Sequence, residues 1–187
     1  FACRAVYRLT GDARGGELRI DLSVENTEGR PWPAGCGHHP YFMRRLWEDA
    51  DDLHVLAPVT GRYALDRGCA AGMAAPDSLS QRLGTSSPVP PEPVDAVFGG
   101  FGGRAELFWP RSGVRLSMEA SKELGHLVYY APHAKPGGGA PLSFVAVEPQ
   151  SQVNNALNLE GQPGVGTVIL QPGERLETSC RFTVIAQ

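Results

Sequence analysis

Strict alternation of apolar and polar residues runs through three long stretches of this sequence. In 17–26, ELRIDLSVEN, every second residue from Leu18 to Val24 is apolar. The stretches 113–120, GVRLSMEA, and 175–186, RLETSCRFTVIA, repeat the pattern. Because successive side chains of a strand point to opposite faces, a period of two predicts strands with one buried and one solvated face.

Five shorter apolar runs also fit strands. They are 53–59, 104–110, 126–132, 143–149 and 167–172. No window of useful length keeps the 3.6-residue period of a helix, and 23 Gly and 16 Pro residues supply frequent breaks. Two stretches rich in these residues, 84–103 and 133–141, are predicted loops. The pattern as a whole predicts an all-β fold, an antiparallel β-sandwich or barrel.

Length, charge and hydropathy narrow the class of protein. With 187 residues, 42% of them hydrophobic, we expect a single domain over 1–187 with a sizeable core. The 17 basic and 20 acidic residues give a net charge of -3 without long runs of one sign, which argues against nucleic acid as a partner and favours small molecules. No apolar run approaches the roughly 20 residues that span a bilayer. We therefore expect a soluble protein with no membrane partner.

The four cysteines, Cys3, Cys36, Cys69 and Cys180, are scattered and form no CxxC pair. This spacing favours buried free thiols over zinc or redox chemistry, and it agrees with a cytoplasmic location. Three other histidines, at 54, 126 and 133, form no cluster at metal-ligand spacing, and the first two are predicted strand residues. The sequence therefore predicts neither a metal nor a cofactor.

Two titratable residues stand directly before a proline. His39 does so in GCGHHPYF, and Glu148 does so in VAVEP. Proline marks strand ends and favours an extended conformation in the preceding residue, so both side chains are predicted at strand ends. Partial burial of Glu148 would raise its pKa and make it a better base. The plainer interpretation is a solvated glutamate and a histidine that only packs or forms hydrogen bonds.

Asp95, in PVDAVFGGF, follows a proline-rich stretch and precedes an apolar run. Its commonest role at such a place would be a turn or capping aspartate. The functional alternative is a carboxylate that accepts hydrogen bonds from sugar hydroxyls, while Phe98 and Phe101 stack on the sugar. Spacing alone favours the turn.

In order along the chain, HPYF, D-x-x-F, VEPQ and NALNL resemble the motifs of the aldose 1-epimerase (galactose mutarotase) family. The resemblance implies an antiparallel β-sandwich of the galactose mutarotase type, a supersandwich with an open sugar cleft. It implies His39 as general acid, Glu148 as general base and Asp95 as a ligand of sugar hydroxyls. Tyr41 and Gln150, from the same motifs, are assigned to substrate binding. The implied partner is a small sugar, and no cofactor is needed.

The matched motifs belong to the C-terminal portion of family members. We therefore expect a sandwich that lacks the strands, the arginine and the histidine of the family's N-terminal part. Two alternatives to a mutarotase stay open: a carbohydrate-binding sandwich without catalysis, and a hexose-6-phosphate 1-epimerase. In the latter, Arg44 and Arg45 would be the phosphate partners, although solvated arginines are the preferred interpretation. The sequence does not fix the sugar or the oligomeric state.

Overall fold

The computed structural model describes residues 1–47, 51–135, 138–159 and 161–186. Nearly all of its regular structure is β. The strands are β1 (Ala2–Asp12), β2 (Gly15–Glu25), β3 (Trp32–Ala34), β4 (Tyr41–Met43), β5 (His54–Leu56), β6 (Gly61–Asp66), β7 (Cys69–Ala75), β8 (Ser87–Pro88), β9 (Val94–Gly99), β10 (Arg104–Trp109), β11 (Val114–Ala120), β12 (His126–Ala131), β13 (His133–Lys135), β14 (Gly138–Pro141), β15 (Phe144–Gln150), β16 (Val168–Leu170) and β17 (Arg175–Ala186). One short helix, α1 (Ser78–Leu83), and one 3₁₀ turn (Ala156–Leu159) accompany them. The predicted all-β class is confirmed.

The first sheet contains the three strands with the clearest alternation. Its order is β1-β2-β17-β11-β10-β5-β8, and all its neighbours are antiparallel. Leu18 of β2 lies opposite Phe182 of β17, which lies opposite Met118 of β11. Alternation therefore places the apolar residues of these strands on one face, which packs into the core.

The second sheet has the order β4-β15-β12-β9-β6-β7. Val147 of β15 lies opposite Tyr129 of β12, which lies opposite Ala96 of β9, and all three are at most 1% exposed. These side chains join the apolar face of the first sheet in one hydrophobic core. Two antiparallel sheets around a shared core form a β-sandwich. The other face of the second sheet carries a smaller hydrophobic cluster, which includes Val97 of β9, and the candidate site.

Several elements were not predicted. Strands β6 and β7 are rich in Ala and Gly, which are depleted in strands, and β1 lies at the sheet edge with an almost wholly exposed surface. Helix α1 has six residues, too few to reveal a helical period, and begins after Asp77, whose side chain accepts a 2.8 Å hydrogen bond from the Ser80 N–H.

Both predicted loops are wrong in part. The stretch 84–103 contains β8 and the interior strand β9, because the average composition of the stretch hid the short run VDAVFG. The stretch 133–141 contains β13 and β14, which pair with each other. His54 and His126 are strand residues, as predicted.

The cysteine prediction holds in part. All four cysteines are free thiols, but Cys3 and Cys69 are exposed, Cys36 is half-buried and only Cys180 is fully buried. Cys3 is exposed because it lies on the edge strand β1, and Cys69 because it begins β7, the edge strand of the other sheet. Within the described ranges, no helix is long and apolar enough to cross a membrane.

Candidate active site

The registers of three adjacent strands bring the candidate residues to one face of the second sheet. Glu148 of β15 lies opposite Val128 of β12. Two residues away on each strand, Ala146 lies opposite Tyr130, which lies opposite Asp95 of β9. Because side chains on one face recur every second residue, all five share the face opposite the main core, where Val128 also packs against a smaller hydrophobic cluster that includes Val97 and Val153.

The fourth strand brings in the histidine motif. Tyr41 of β4 lies opposite Ala146, on the same face as Glu148. Three residues earlier, the backbone N–H of His38 donates a 3.0 Å hydrogen bond to the Pro149 carbonyl, which fixes the approach of His39 to β15. The sheet thereby joins a motif near the start of the chain to one near its end.

Together these residues line an open cleft of about 460 Å³. All five predicted site residues line it. The full set of lining residues is His39, Tyr41, Asp95, Val128, Tyr130, Glu148, Gln150, Gln152, Val153 and Asn154. A cleft of this size, with carboxylates, amides and aromatic rings, suits a small polar ligand.

The pair His39 and Glu148 forms the centre of the cleft. Nε2 of His39 lies 3.2 Å from Oε1 of Glu148, while the other carboxylate oxygen, Oε2, accepts a 3.3 Å hydrogen bond from the Gln150 amide. The Glu148 side chain is 5% exposed and that of His39 is 56% exposed. A buried carboxylate therefore meets a solvent-accessible imidazole at hydrogen-bond distance.

Burial raises the pKa of Glu148 above the usual range of a glutamate. The charge of His39 and the hydrogen bond from Gln150 act in the opposite direction, and the negative charge of Asp95 adds to the rise. A carboxylate with a raised pKa holds a proton more strongly. Glu148 is therefore suited to take a proton from a weakly acidic hydroxyl.

The His39 ring is held by aromatic packing. It stacks on Tyr41 with a centroid distance of 4.9 Å and an interplanar angle of 23°. Tyr41 in turn contacts Phe144 edge-on at 5.0 Å. Offset stacks and edge contacts of this kind fix ring orientation. Tyr41 thus has a positioning contact in addition to its place in the cleft wall.

His38 lies outside this cleft. It is 7% exposed and lines a separate space together with Ile20, Leu22 and Phe182. Burial lowers the pKa of His38, which favours its neutral form. Of the two adjacent histidines, His39 is the one that contacts Glu148.

Two expectations about individual residues are wrong, and one alternative is excluded. Glu148 lies inside β15 and does not end it, and Asp95 is a residue of β9 and not part of a turn. Phe98 and Phe101 are 0% and 5% exposed members of the core, so they offer no surface to a sugar. Apolar rings in this β-sandwich gain more from burial than from exposure at a cleft.

The preferred interpretation of two solvated arginines is wrong for Arg44 and is confirmed for Arg45. Arg44 is 7% exposed, and its guanidinium donates a 3.2 Å hydrogen bond to the Pro90 carbonyl. It is therefore neither a phosphate partner at the cleft nor a solvated arginine. Arg45 is exposed but does not line the cleft.

Asn154 lines the cleft, and the sequence interpretation gave neither it nor Asn155 a role. Asn154 Oδ1 accepts a 2.9 Å hydrogen bond from Ala70 N–H, and its Nδ2 donates to the Gly68 carbonyl. Asn155 donates to the Ala70 carbonyl at 2.9 Å. These bonds fasten the segment after β15 to the β6–β7 hairpin. The NN dipeptide was the available signal, since asparagine side chains often bond to backbone groups of turns.

Tyr130 and Gln152 are the other polar cleft residues that sequence reasoning missed. Tyr130 could have been found by extending the alternation of β12 from Val128. Among the described residues, no group of three His, Cys, Asp or Glu side chains is arranged to bind a metal ion.

Comparison with known proteins gives the class. The sequence profile of the aldose 1-epimerase family matches residues 1–183. The chain therefore belongs to the aldose 1-epimerase family. Its sandwich is of the galactose mutarotase type, as the sequence resemblance implied.

Individual relatives agree with this class. The uncharacterized protein YphB of Escherichia coli K12 is 28% identical over 171 residues, which cover 90% of this chain and 54% of YphB. A crystal structure of an Escherichia coli K12 protein, provisionally assigned as an aldose 1-epimerase, superimposes with a TM-score of 0.79 at 21% identity, over 99% of this chain and 61% of that one. The crystal structure of a galactose mutarotase-like protein of Clostridium acetobutylicum superimposes with a TM-score of 0.75 at 18% identity, over 99% of this chain and 63% of that one. The chain thus spans between about half and two thirds of these relatives.

Proposed function

We propose that this chain carries the catalytic pair of an aldose 1-epimerase that interconverts the α and β anomers of a free aldohexose. The observation that supports it best is the 3.2 Å contact between His39 and the buried carboxylate of Glu148 at the centre of an open polar cleft. Anomer exchange needs one group that accepts a proton and one that donates a proton, on two oxygens bonded to the same carbon. Adjacent side chains meet that requirement.

In the proposed reaction, Glu148 accepts the proton of the anomeric hydroxyl while His39 donates a proton to the ring oxygen. The bond between the anomeric carbon and the ring oxygen breaks, which leaves an open-chain aldehyde. Rotation about the bond between the first two carbons presents the other face of the carbonyl. The hydroxyl then attacks that face, returns its proton to His39, and the new anomeric oxygen takes the proton from Glu148. Both side chains end as they began.

The proposed substrate is a neutral sugar. The described part of the cleft wall carries the carboxylates of Glu148 and Asp95 and no lysine or arginine. A phosphate dianion would be repelled there and would find no guanidinium partner. This favours a free aldose over a hexose 6-phosphate, with Asp95 as the candidate for hydrogen bonds to sugar hydroxyls.

A sugar-binding sandwich without turnover is the second candidate. It is favoured by the 56% exposure of the His39 side chain, because water that reaches the proton donor weakens general acid catalysis. The two candidates differ in whether the cleft accelerates anomer exchange or only retains the sugar. In both, the partner is a small carbohydrate, and the proposed location is the cytoplasm.

Polarimetry separates the two. The optical rotation of freshly dissolved α-D-glucose and α-D-galactose is followed to equilibrium with and without protein. The catalysed rate is the rate with protein minus the rate in buffer alone. Glu148→Gln and His39→Asn are each expected to lower the catalysed rate by about 10²–10⁴. Glu119→Gln, an exposed glutamate on β11 of the other sheet, is the matched control. Absence of acceleration by the unchanged protein, with sugar binding retained in calorimetry, would establish the binding-only alternative.

A further inference from the structure

Two tripeptides, Gly35-Cys36-Gly37 and Gln150-Ser151-Gln152, interlock beside the cleft. The Cys36 N–H donates to the Ser151 hydroxyl at 2.9 Å, and the Ser151 N–H donates to the Cys36 carbonyl at 2.8 Å. Gly37 and Gln150 form an antiparallel bridge. The segment that leads to His39 is therefore fastened to the end of the strand that carries Glu148.

The two glycines leave room for two glutamine side chains. A Cβ atom at Gly35 would overlap the side-chain amide of Gln152, and one at Gly37 would overlap the amide of Gln150. At Gly37 the added atom would also lie 2.9 Å from the Pro149 carbonyl oxygen, so movement of the glutamine alone would not relieve the contact. Glycine therefore occupies positions 35 and 37 because a side chain approaches the backbone closely there, and not because a turn requires it.

The side-chain amide of Gln150 contacts both the strand that carries Glu148 and the segment that leads to His39. Its Nε2 donates to Oε2 of Glu148 at 3.3 Å and to the His38 carbonyl at 3.4 Å. Both partners are acceptors, so only the NH₂ end of the amide satisfies them. One side chain thus links the Glu148 carboxylate to the backbone next to His39.

We propose that Gln150 is a positioning residue. Its side-chain amide occupies the space left by the missing Cβ of Gly37 and holds the Glu148 carboxylate in line with His39. This inference rests on the proposed function for its effect on catalysis, and it differs from the expectation that Gln150 binds the substrate. Gln150 thus affects catalysis through Glu148 and not through contact with the reacting atoms. Without the Gln150 amide, Oε2 of Glu148 loses its partner and the carboxylate is free to rotate away from His39.

Loss of that amide has a second, measurable effect. A hydrogen bond to the carboxylate favours its charged form, so removal of Gln150 raises the pKa of Glu148 further. The titratable groups that share the cleft with Glu148 are His39 before β4, Tyr41 on β4, Asp95 on β9 and Tyr130 on β12. None of these is altered in a Gln150→Ala variant, so the shift can be attributed to the lost amide.

The first test is the titration of the Glu148 carboxyl by NMR of protein labelled with ¹³C at glutamate side chains, in the absence of sugar. The Glu148 resonance is assigned by its loss in Glu148→Gln. In Gln150→Ala its midpoint is expected at higher pH than in the unchanged protein. Gly37→Ala should shift it in the same direction, and Gln81→Ala, on the exposed surface of α1, should not. This readout needs no turnover, so it stands even where the proposed function fails.

The second test is the pH dependence of anomer exchange. In Gln150→Ala, kcat is expected to fall by about 10- to 100-fold with KM within about twofold, because misplacement of a catalytic group affects the chemical step. The acidic limb of the kcat/KM profile should move to higher pH. A sugar-contact role would instead raise KM and leave the limb in place. An unchanged carboxyl midpoint in the folded Gln150→Ala variant would overturn the proposal, and circular dichroism of both variants verifies folding.

Discussion

Nε2 of His39 lies 3.2 Å from Oε1 of Glu148, although His39 precedes the short strand β4 and Glu148 lies inside β15. The contact joins an accessible imidazole to a buried carboxylate. Pairing of β4 with β15 and the hydrogen bond from His38 N–H to the Pro149 carbonyl maintain it. The proposed acid and base are thus held by backbone structure as well as by their own attraction.

The first prediction is that His39 and Glu148 act as one unit. Ring opening needs both proton transfers, so each single substitution, His39→Asn or Glu148→Gln, is expected to remove most of the activity. The double variant should therefore be no slower than the slower single variant. A double-mutant cycle on the polarimetric rate measures this. Multiplicative losses in the double variant would mean that the two side chains act independently.

The second prediction concerns stability. Because burial raises the pKa of Glu148 in the folded protein, the folded state binds the proton more strongly than the unfolded chain does. The stabilisation is present at low pH and is lost as pH rises through the folded-state pKa. Glu148→Gln removes this loss, so the variant should gain thermal stability over the unchanged protein from about pH 4 towards pH 8.

Thermal unfolding between pH 4 and pH 8 checks it, and each kcal/mol of difference corresponds to about 2–4 °C in a domain of this size. Glu177→Gln, at an exposed position on β17, should show no such trend. A difference between Glu148→Gln and the unchanged protein that narrows with rising pH would contradict the burial argument.

Alternation predicted the parts of the fold where one face is buried and the other solvated. Leu18, Met118 and Phe182 were placed on inward faces by their spacing, and they lie opposite one another in the sheet. Strand β9 was not predicted, because the surrounding prolines and glycines dominate the average composition of the stretch 84–103. Its position between β12 and β6 is a long-range pairing, which local composition does not encode.

The prediction that Glu148 ends its strand was wrong because Pro149 can be accommodated inside β15. The Pro149 carbonyl accepts from His38, and in an antiparallel strand the nitrogen and the carbonyl of one residue point to the same side. The missing N–H therefore faces the segment before β4, and pairing with Leu127 of β12 continues. The match between Gly37 and Gln150 was equally hidden, because it exists only after the two segments meet.

The third prediction separates the ring of Tyr41 from its hydroxyl. The ring stacks on His39 at 4.9 Å, and such contacts are worth about 0.5–1.5 kcal/mol, or about two- to tenfold in rate. Tyr41→Ala should lower kcat by that factor. Tyr41→Phe keeps the ring, so it should keep kcat and raise KM through the lost hydroxyl. Equal kcat values for the two variants in initial-rate polarimetry would exclude a positioning role of the ring.

The fourth prediction concerns the thiols. Exposed Cys3 and Cys69 should react quickly with a disulfide reagent that releases a coloured thiolate. Burial raises the pKa of Cys180 to about 12 and also raises that of Cys36, so both should react slowly in the folded protein. We expect two fast thiols in buffer and four in denaturant. Cys3→Ser and Cys69→Ser should each remove one fast thiol, and a fast phase that survives both would contradict the structure.

The last prediction assigns two separable effects to Asp95. Its exposed carboxylate faces the cleft, and its negative charge contributes to the raised pKa of Glu148. In Asp95→Asn the pKa of Glu148 should fall, and the acidic limb of the kcat/KM profile should move to lower pH. The same change weakens charge-assisted hydrogen bonds to sugar hydroxyls, so KM should rise by about 10- to 100-fold.

One pH series of initial rates measures both effects, with Asp66→Asn, at the exposed end of β6, as the matched control. A shifted acidic limb with an unchanged KM would leave Asp95 an electrostatic role only. An unchanged limb with a raised KM would mean that solvent screens the charge of Asp95 from Glu148. Both effects are expected together, because the same carboxylate lies in the cleft wall and on the strand face that Glu148 shares.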